Sequence, residues 1–287
     1  MTLEEYLQQR YTRATAKRYR SEIKTYQANC PGAETALHKD ITAYIGILRN
    51  RYRNAKTLTR ILCSIKAYYD FLAYTGKRKD NPATSILLKD KQNRDIQLQD
   101  LFTEKELKSL LDRKEAFSLL VMRNRVLTGL LIYQGLLPNE LENLRVPDIN
   151  LTEGTIYIRG TAKTNSRTLQ LKPAQIMLLH TYIHETRPKL NKNPEQEHLL
   201  IGLRSEYMRG ADIGKHVIAG FRGRFKDRKV NCRTIRQSVI TNLLKAGNDL
   251  RIVQVFAGHK YPDTTEKYKQ TDTEALKTAI QNYHPIR

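Results

Sequence analysis

Three residues near the C-terminal end of the chain have the types and the order that cleavage of a phosphodiester requires. Arg236 opens an apolar segment, His259 follows an Ala-Gly pair, and Tyr268 lies nine residues after the histidine. A guanidinium donates two parallel hydrogen bonds to phosphate oxygens and keeps its charge. A tyrosine hydroxyl can attack phosphorus and form a covalent intermediate. The pattern therefore predicts that Arg236 and His259 hold a phosphate while Tyr268 attacks it.

Such an attack needs further groups, which the sequence supplies in part. A tyrosine titrates near ~10 when unperturbed, so we expect neighbouring positive charge to favour the phenolate. The leaving 5′ oxygen needs an acid, and Lys163, in the turn of a predicted hairpin, is the candidate. The carboxylates of the chain do not cluster as a metal site requires, so we predict no metal and no other cofactor.

Each of these residues also has a purely structural interpretation. Tyr268 is one of 16 tyrosines and could simply pack in a core. His259 could complement the C-terminal end of a helix, and Arg236 could be a surface residue. Lys163 could be an ordinary solvated lysine in a turn. The spacing between His259 and Tyr268 favours the catalytic interpretation.

The charge of the chain indicates a polyanionic partner. The 287 residues carry 50 Lys and Arg against 29 Asp and Glu, for a formal net charge of +21. A folded chain with a dispersed basic excess usually binds nucleic acid, and duplex DNA is the predicted partner. Candidate DNA-binding residues lie on two predicted helical faces: Arg18, Arg20, Lys24, Thr57, Arg60 and Lys66. The same charges could instead form ordinary solvated faces.

Cysteine usage and hydropathy argue against other classes of protein. The chain has three cysteines, Cys30, Cys63 and Cys232. Their odd number argues against a disulfide framework, and their spacing argues against a zinc knuckle. The N-terminal residues lack the apolar stretch of a signal peptide, and no run approaches the roughly 18 apolar residues of a membrane span. We expect a cytoplasmic protein that does not enter a membrane.

Periodicity and turn signals divide the chain into two domains. Residues 1–88 are predicted to be all-helical, residues 89–101 to be a polar linker, and residues 102–287 to form a second domain. The helices predicted in the first domain run from Thr12 or Thr15 to about Asn29, from about Ile41 to Arg53, and from Thr57 to Tyr74 before Gly76.

The second domain is predicted to combine helices with one small hairpin. Thr103–Glu106 has the pattern of a capping box, and helices broken at Gly135 and Pro138 follow to about Leu144. Thr155–Arg159 and Arg167–Leu171 alternate like two strands, and helices dominate after them. The predicted fold class is mainly α with a small β-hairpin.

The segment around Arg236 belongs to a wider pattern. The run from Arg233 through Arg236 to Ser238, followed by Ala-Gly258-His259, is similar to the second conserved box of the tyrosine recombinases, the Xer and integrase family of site-specific DNA recombinases. Other segments resemble the same family. Its helical core-binding domain is similar to residues 11–20, residues 57–74 and Asn81-Pro82, and its closing residues are similar to Tyr283-His284-Pro285.

This resemblance implies roles and an architecture. Tyr268 matches the nucleophile, Arg236 and His259 match phosphate-binding residues, and Lys163 matches the hairpin lysine. Residues 1–88 would be the core-binding domain of a two-domain clamp around duplex DNA. Residues 102–287 would be the catalytic domain, with a C-terminal exchange helix at about 272–282 docking on a neighbour. The resemblance implies a tetramer on two DNA sites and a monomer when free.

Three positions depart from the family pattern. Leu137 stands where the family has its first arginine, and Arg233 and Gln237 stand where it has histidines. Removing one preorganised donor from a developing anion typically costs about 10²–10³ in rate. Arg233 is the first candidate to replace the missing arginine, and Arg159 and Arg167, which flank the hairpin lysine, are the others.

The predicted function is site-specific recombination. The enzyme would cleave and rejoin duplex DNA through a 3′-phosphotyrosyl intermediate, in mobile-element or Xer-like integration and excision. Two alternatives stay open from sequence. One is a catalytically impaired DNA-binding regulator or architectural protein on the same fold, and the other is a type IB topoisomerase-like enzyme that acts alone.

Overall fold

The chain forms two compact units, Met1–Arg94 and Asp95–Arg287. This computed structural model describes residues 1–90 and 101–269, apart from residues 114, 116, 162, 226, 227 and 229. Most of the predicted linker and the whole predicted exchange helix lie outside the described residues. The predicted limits of the two domains therefore stay a prediction. Within the described residues, none of the helices combines the length and the apolar composition needed to cross a bilayer.

The first unit is built from four helices, α1 (Leu3–Arg10), α2 (Arg13–Asn29), α3 (His38–Arg51) and α4 (Ala55–Tyr74). A side chain at the N-cap position caps three of them, α1, α2 and α4. The Thr12 hydroxyl accepts from the Thr15 backbone N–H, and the Asn54 side chain accepts from Lys56. The predicted helices are confirmed to within a few residues, and α1 is an addition to them. Oxygen side chains at these positions satisfy N–H groups that a helix leaves without internal partners.

The core of the first unit holds together α2 and α4 through apolar and tyrosine side chains. Ile23, Tyr26 and Tyr69 are fully buried. The Tyr26 and Tyr69 hydroxyl oxygens lie 2.6 Å apart, and the Tyr69 hydroxyl donates to the Ala33 carbonyl at 2.8 Å. Buried phenols are thereby given hydrogen-bond partners. The inward faces of α2 and α4 are apolar, so their basic residues lie toward the surface of the unit.

The second unit combines helices with a three-stranded antiparallel sheet. The strands are β1 (Ile149–Asn150), β2 (Thr155–Ile158) and β3 (Arg167–Gln170). In the β2–β3 pair, Ile156 lies opposite Leu169 and Ile158 opposite Arg167. The predicted hairpin is confirmed, and β1 adds a short third strand. Within the described residues the fold is therefore mostly helical, as predicted.

The helices of the second unit follow in two groups around the sheet. Before it come α5 (Glu104–Ser109), α6 (Ser118–Tyr133) and α7 (Pro138–Glu142). After it come α8 (Pro173–Thr181), α9 (Arg187–Leu190), α10 (Gly210–Gly220), α11 (Cys232–Lys245), α12 (Leu250–Ala257) and α13 (Pro262–Lys269). The predicted capping box of Thr103 and Glu106 is present at the start of α5.

Helix α11 is held in place by burial along most of its length. Ile235 and Ile240 are fully buried, and α11 packs against α6, α12 and α13. Asn231 caps its start by accepting from the backbone N–H groups of Arg233 and Thr234. Helix α12 ends at Gly258, whose φ of 68° is the left-handed conformation that glycine adopts most easily. The chain therefore turns sharply just before His259.

Candidate active site

Arg236 is a buried residue that ties two chain segments together. Its side chain is 7% exposed, which excludes the interpretation of a surface arginine. One terminal nitrogen, Nη1, donates to the Gly135 carbonyl at 2.7 Å, and Nη2 donates to the Ala257 carbonyl at 2.5 Å. The guanidinium thus joins the turn after α6 to the end of α12, next to His259.

A buried ion pair lies beside Arg236. The Glu140 carboxylate is fully buried and accepts two hydrogen bonds from Arg167, from Nη1 to Oε1 at 2.8 Å and from Nη2 to Oε2 at 3.1 Å. Arg236 Nη1 lies 3.8 Å from Glu140 Oε2. Burial opposes ionisation of Glu140, but the hydrogen bonds and charge of Arg167 outweigh it, so its pKa is below the ordinary value. One buried carboxylate therefore stands among two buried cations.

The last carbonyl oxygens of α12 are bound by groups from three other places in the unit. The Phe256 carbonyl accepts from Arg167 Nε at 2.7 Å, and the Gly258 carbonyl accepts from the Asn165 backbone N–H at 2.9 Å. With the Arg236 bond to Ala257, three consecutive carbonyls are satisfied. Helix C-termini leave such carbonyls without internal partners and favour nearby cations. The segment that leads into His259 is therefore fixed by the fold.

His259 is buried and neutral near pH 7. Its residue is 8% exposed, and Nδ1 lies 2.8 Å from the Thr265 hydroxyl oxygen. Burial, followed by the positive charges of Arg236 and Arg167, lowers the pKa of His259 to about 4. A neutral imidazole has one N–H to donate and one nitrogen to accept. His259 is therefore equipped to give a phosphate oxygen a neutral hydrogen bond.

Tyr268 lies on α13 against the same histidine. The two rings are nearly parallel, with an interplanar angle of 15° and 6.1 Å between centroids. Burial raises the pKa of the phenol, while Arg236 and Arg233 act to lower it. As expected, the charges of Arg236 and Arg233 favour the phenolate, but desolvation is the larger effect, so the pKa of Tyr268 is raised in the DNA-free protein. The partial packing of Tyr268 against Ile240 and Val253 also bears out part of the structural interpretation.

Lys163 is exposed on the turn that joins β2 to β3. Its backbone N–H donates to the Thr161 hydroxyl at 3.1 Å, which helps to close the turn. The next residue, Thr164, pairs with His259 in an isolated antiparallel bridge. Lys163, the predicted acid, therefore lies one residue from the backbone that pairs with His259.

Arg233 is exposed in the first turn of α11, and its charge acts on Tyr268. The two other candidate replacements have partners elsewhere. Arg167 directs both terminal nitrogens to Glu140, and Arg159 forms an ion pair with Asp148. Leu137, at the position of the missing arginine, donates its backbone N–H to Glu140 Oε2 at 2.8 Å. Of the three arginines, Arg233 has the clearest electrostatic link to Tyr268.

The predicted DNA-binding residues of the first unit lie on α2 and α4. Arg18 and Lys24 are exposed, and Thr57 is half-buried. Three others have protein partners: Arg20 with Glu4 at 2.7 Å, Arg60 with Glu22 at 2.7 Å, and Lys66 with the Thr84 carbonyl at 2.9 Å. Their role toward DNA stays a prediction.

Two residues of the site were missed by the sequence analysis, and a third was given another role. Glu140 was not predicted. A signal for it existed, because a carboxylate within an apolar segment at the start of a helix is typical of a buried ion pair. Arg167 was considered only as a replacement arginine. Thr265 was not predicted either; it lies within α13, and its side chain contacts His259.

The pattern of the phage integrase family matches residues 100–275. The chain belongs to this family. It is a tyrosine-type site-specific recombinase. A tyrosine recombinase XerD of Oceanobacillus iheyensis is 29% identical to it over 250 residues, which cover 86% of this chain and 82% of that protein.

Solved structures confirm the fold of this recombinase. XerH recombinase in a post-cleavage complex with a palindromic difH substrate has a TM-score of 0.70 at 20% identity, covering 92% of this chain and 77% of that one. A lambda integrase dimer bound to a COC′ core site has a TM-score of 0.69 at 15% identity, covering 92% of each chain. At these identities the likeness shows the fold alone.

Proposed function

We propose that this recombinase cleaves one strand of duplex DNA with Tyr268 and later rejoins it. The observation that carries the proposal is the stacking of Tyr268 on His259 beside the buried guanidinium of Arg236. In the cleavage step the phenolic oxygen forms a bond to phosphorus as the bond from phosphorus to the 5′ oxygen breaks. The phenolic proton leaves to solvent, and the products are a 3′-phosphotyrosine and a 5′ hydroxyl.

The other residues of the site divide the remaining tasks. Arg236 and His259 would bind non-bridging oxygens, where a charged fork and a neutral N–H act together. Lys163 would give a proton to the leaving 5′ oxygen. Arg233 would supply the positive charge that Leu137 cannot. This last role is supported by the charge of Arg233, which opposes the rise that burial causes in the pKa of Tyr268.

The first domain, residues 1–88, would bind the DNA duplex as one part of a clamp whose other part is residues 102–287. Arg18 and Lys24 are exposed and available to phosphates. The net charge of +21 supports strong electrostatic binding. Affinity should fall steeply with salt, with a log–log slope of about 0.9 per phosphate contacted. A slope near zero in a fluorescence-anisotropy titration would contradict this role.

We further propose that the enzyme is cytoplasmic and works as a tetramer on two DNA sites, in a mobile-element or Xer-like reaction. The XerD and XerH names of similar proteins and the absence of a membrane-crossing helix among the described residues support this context. Residues at about 272–282 would dock on the neighbouring protomer. Sedimentation of the protein with and without two-site DNA measures the assembly, and a monomer bound per site throughout the reaction would contradict it.

Covalent trapping tests the chemistry directly. On a nicked substrate the short 5′-hydroxyl fragment diffuses away, so the protein–DNA adduct cannot religate and should survive denaturation. Tyr268→Phe removes only the attacking oxygen and should abolish the adduct with DNA binding unchanged. Tyr261→Phe is the matched control, because Tyr261 is a 71% exposed tyrosine on the same segment.

Two results would count against the proposal. One is a wild-type protein that forms no adduct on its authentic site, which would favour a DNA-binding protein without cleavage activity. The other is a Tyr268→Phe protein that forms as much adduct as the wild type, which would assign the attack to another residue.

A further inference from the structure

The contact between Thr265 and His259 has no part in the roles assigned so far. The Thr265 side chain is completely buried, and its hydroxyl oxygen lies 2.8 Å from His259 Nδ1. Thr265 belongs to α13, three residues before Tyr268. Side chains three apart lie on the same face of a helix. One helical turn therefore presents the nucleophile and a partner for the histidine together.

The hydrogen bond can be formed in two ways, and they place the histidine proton on different nitrogens. If Nδ1 carries the proton, it donates to Thr265, and the hydroxyl must find another acceptor for its own proton. If the hydroxyl donates to Nδ1, the proton of the neutral ring is on Nε2. The two arrangements thus differ in which ring nitrogen can donate to DNA.

Burial decides between them. Among the residues that the structure describes, the Thr265 hydroxyl has no hydrogen-bond partner besides His259 Nδ1. A buried hydroxyl proton left without an acceptor costs about 1–3 kcal/mol. When the hydroxyl donates to Nδ1, neither group is left unsatisfied. The arrangement with the proton on Nε2 is therefore the more stable one.

We propose that Thr265 is a positioning residue that makes His259 a hydrogen-bond donor through Nε2. Because Thr265 lies on α13 with Tyr268, this donor depends on the position of the helix that carries the nucleophile. This rests on the proposed function, in which His259 binds a non-bridging oxygen of the cleaved phosphate. A phosphate oxygen only accepts hydrogen bonds, so a histidine with its proton on Nδ1 would present a lone pair to it and repel it. Thr265 prevents that arrangement.

The same contact makes two catalytic features depend on one helix. If α13 moves away, Tyr268 leaves the site and His259 loses the hydroxyl that fixes its proton. The charged and titratable groups that face the histidine from the other elements are Arg236 on α11, Arg167 on β3 and Glu140 on α7. Burial and the two arginines keep the ring neutral against the opposing charge of Glu140, and Thr265 selects which neutral form the ring takes. The Nε2–H form of the histidine is thus most populated when the nucleophile is in place.

Two substitutions at this position separate the hydroxyl from the shape of the side chain. Thr265→Val keeps the branched shape and removes the hydroxyl, whereas Thr265→Ser keeps the hydroxyl. We expect single-turnover cleavage to slow severalfold in Thr265→Val, in proportion to the fraction of rings that carry the proton on Nδ1. Thr265→Ser should recover most of the rate, and the dissociation constant for DNA should stay the same in both. Thr264→Val, at the exposed neighbour, is the control and should cleave normally.

A direct measurement of the ring does not depend on cleavage. Nitrogen-15 NMR of the full-length, histidine-labelled protein distinguishes a protonated Nε2 from a protonated Nδ1. We expect the Nε2–H form in the wild type and in Thr265→Ser, and a mixture in Thr265→Val. Wild-type protein with the proton on Nδ1, or a Thr265→Val protein that cleaves at the wild-type rate, would overturn the proposal.

The two readouts also separate this proposal from the function on which it rests. If wild-type protein forms no covalent adduct but shows Nε2–H, the recombinase chemistry fails and the role of Thr265 in fixing the ring stands. If the adduct forms and the ring carries its proton on Nδ1, the recombinase chemistry stands and the proposed role of Thr265 fails. Should Thr265→Val fail to fold, the wild-type spectrum and the Thr265→Ser rate still decide.

Discussion

The site has an inner half and an outer half that are built differently. The inner half consists of Arg236, Glu140, Arg167 and His259, all buried, with hydrogen bonds to one another or to the end of α12. The outer half consists of Lys163 and Arg233, both exposed. Within the described part of the chain, neither outer side chain has an ion pair or a hydrogen bond.

The difference shows which part of the chemistry is prepared by folding alone. Inner residues have their orientation fixed before DNA arrives, so they contribute to stability as well as to the proposed binding of phosphate. In the proposed mechanism the outer residues supply charge and a proton at the surface, and DNA provides their partner. Preorganised groups cost no rearrangement at the moment of reaction. Substitutions in the inner half should therefore lower the free energy of unfolding. Substitutions in the outer half should change only the rate of cleavage.

The largest effect on stability is expected from Arg167→Met, in the inner half. This change leaves the fully buried Glu140 carboxylate without the two hydrogen bonds from Arg167. Breaking a buried pair by removing one partner costs about 3–5 kcal/mol. Urea unfolding of the variant measures the loss. A matched control is Arg145→Met, because the Arg145–Glu197 pair is about half exposed and should contribute no more than about 1 kcal/mol.

The double variant Arg167→Met with Glu140→Gln sharpens this comparison. It removes the buried charge along with its partner, so part of the lost stability should return. Equal free energies of unfolding for Arg167→Met and Arg145→Met would show that the inner half is no more firmly built than the surface.

The next effect concerns rate and belongs to the outer half. Arg233→Ala should slow cleavage by about 10²–10³-fold, because one cation near the phosphate is lost. Its free energy of unfolding should not change, since Arg233 is exposed. Single-turnover cleavage and urea unfolding of the same variant test both statements. Arg159→Ala is the parallel variant, and a larger loss of rate there would transfer the role to Arg159.

Leu137→Arg complements that test. If Arg233 already supplies the missing charge, the added arginine should change the rate of the wild type little and should restore part of the rate to Arg233→Ala. A large gain in the cleavage rate of the wild type would mean that no other residue of the chain replaces the missing first arginine.

The smallest effect is a dependence of stability on pH that arises in the inner half. Burial and two cations lower the pKa of His259 to about 4, against 6.5 for an unperturbed histidine. Between these values the unfolded chain binds a proton that the folded protein excludes, so stability falls as the pH is lowered from about 6.5 to about 4. Urea unfolding across this range should show a weaker dependence in His259→Asn.

A second histidine provides the comparison for that measurement. Burial and Arg113 lower the pKa of His216, which lies outside the site, to about 4 as well. His216→Asn should weaken the pH dependence in the same direction and leave cleavage unchanged. If His259→Asn leaves the dependence as it was in the wild type, the histidine is not held neutral by its surroundings.

The sequence was sufficient to predict most of the helices and the hairpin, because they depend on local patterns. Apolar spacing marks α2 and α4, and an Asn or Thr before a helix marks its start. Arg236 and His259 were proposed as site residues from their types and spacing, and the structure brings them together, since Arg236 donates to the Ala257 carbonyl two residues before His259. Their role toward phosphate stays a prediction.

The partners of those residues could not be predicted in the same way. Glu140 and Arg167 are 27 residues apart and meet only because the hairpin folds against α7. No local pattern states that a carboxylate and a guanidinium from separate elements will share one buried space. The net rise in the pKa of Tyr268 could not be predicted either, because basic residues near it can be identified from sequence whereas its degree of burial cannot.

Gly258 has a consequence for how this chain can vary. A β-carbon at that position would lie 2.6 Å from Arg167 Nη1 and 3.0 Å from the Asn165 carbonyl oxygen. The left-handed backbone adds its own penalty for any larger residue. In a library that randomises residues 167 and 258 together, larger residues at 258 should survive selection for activity only beside a shorter side chain at 167. Because such shortening deprives Glu140 of its ion pair, the two positions form an epistatic pair in which most single steps lower fitness.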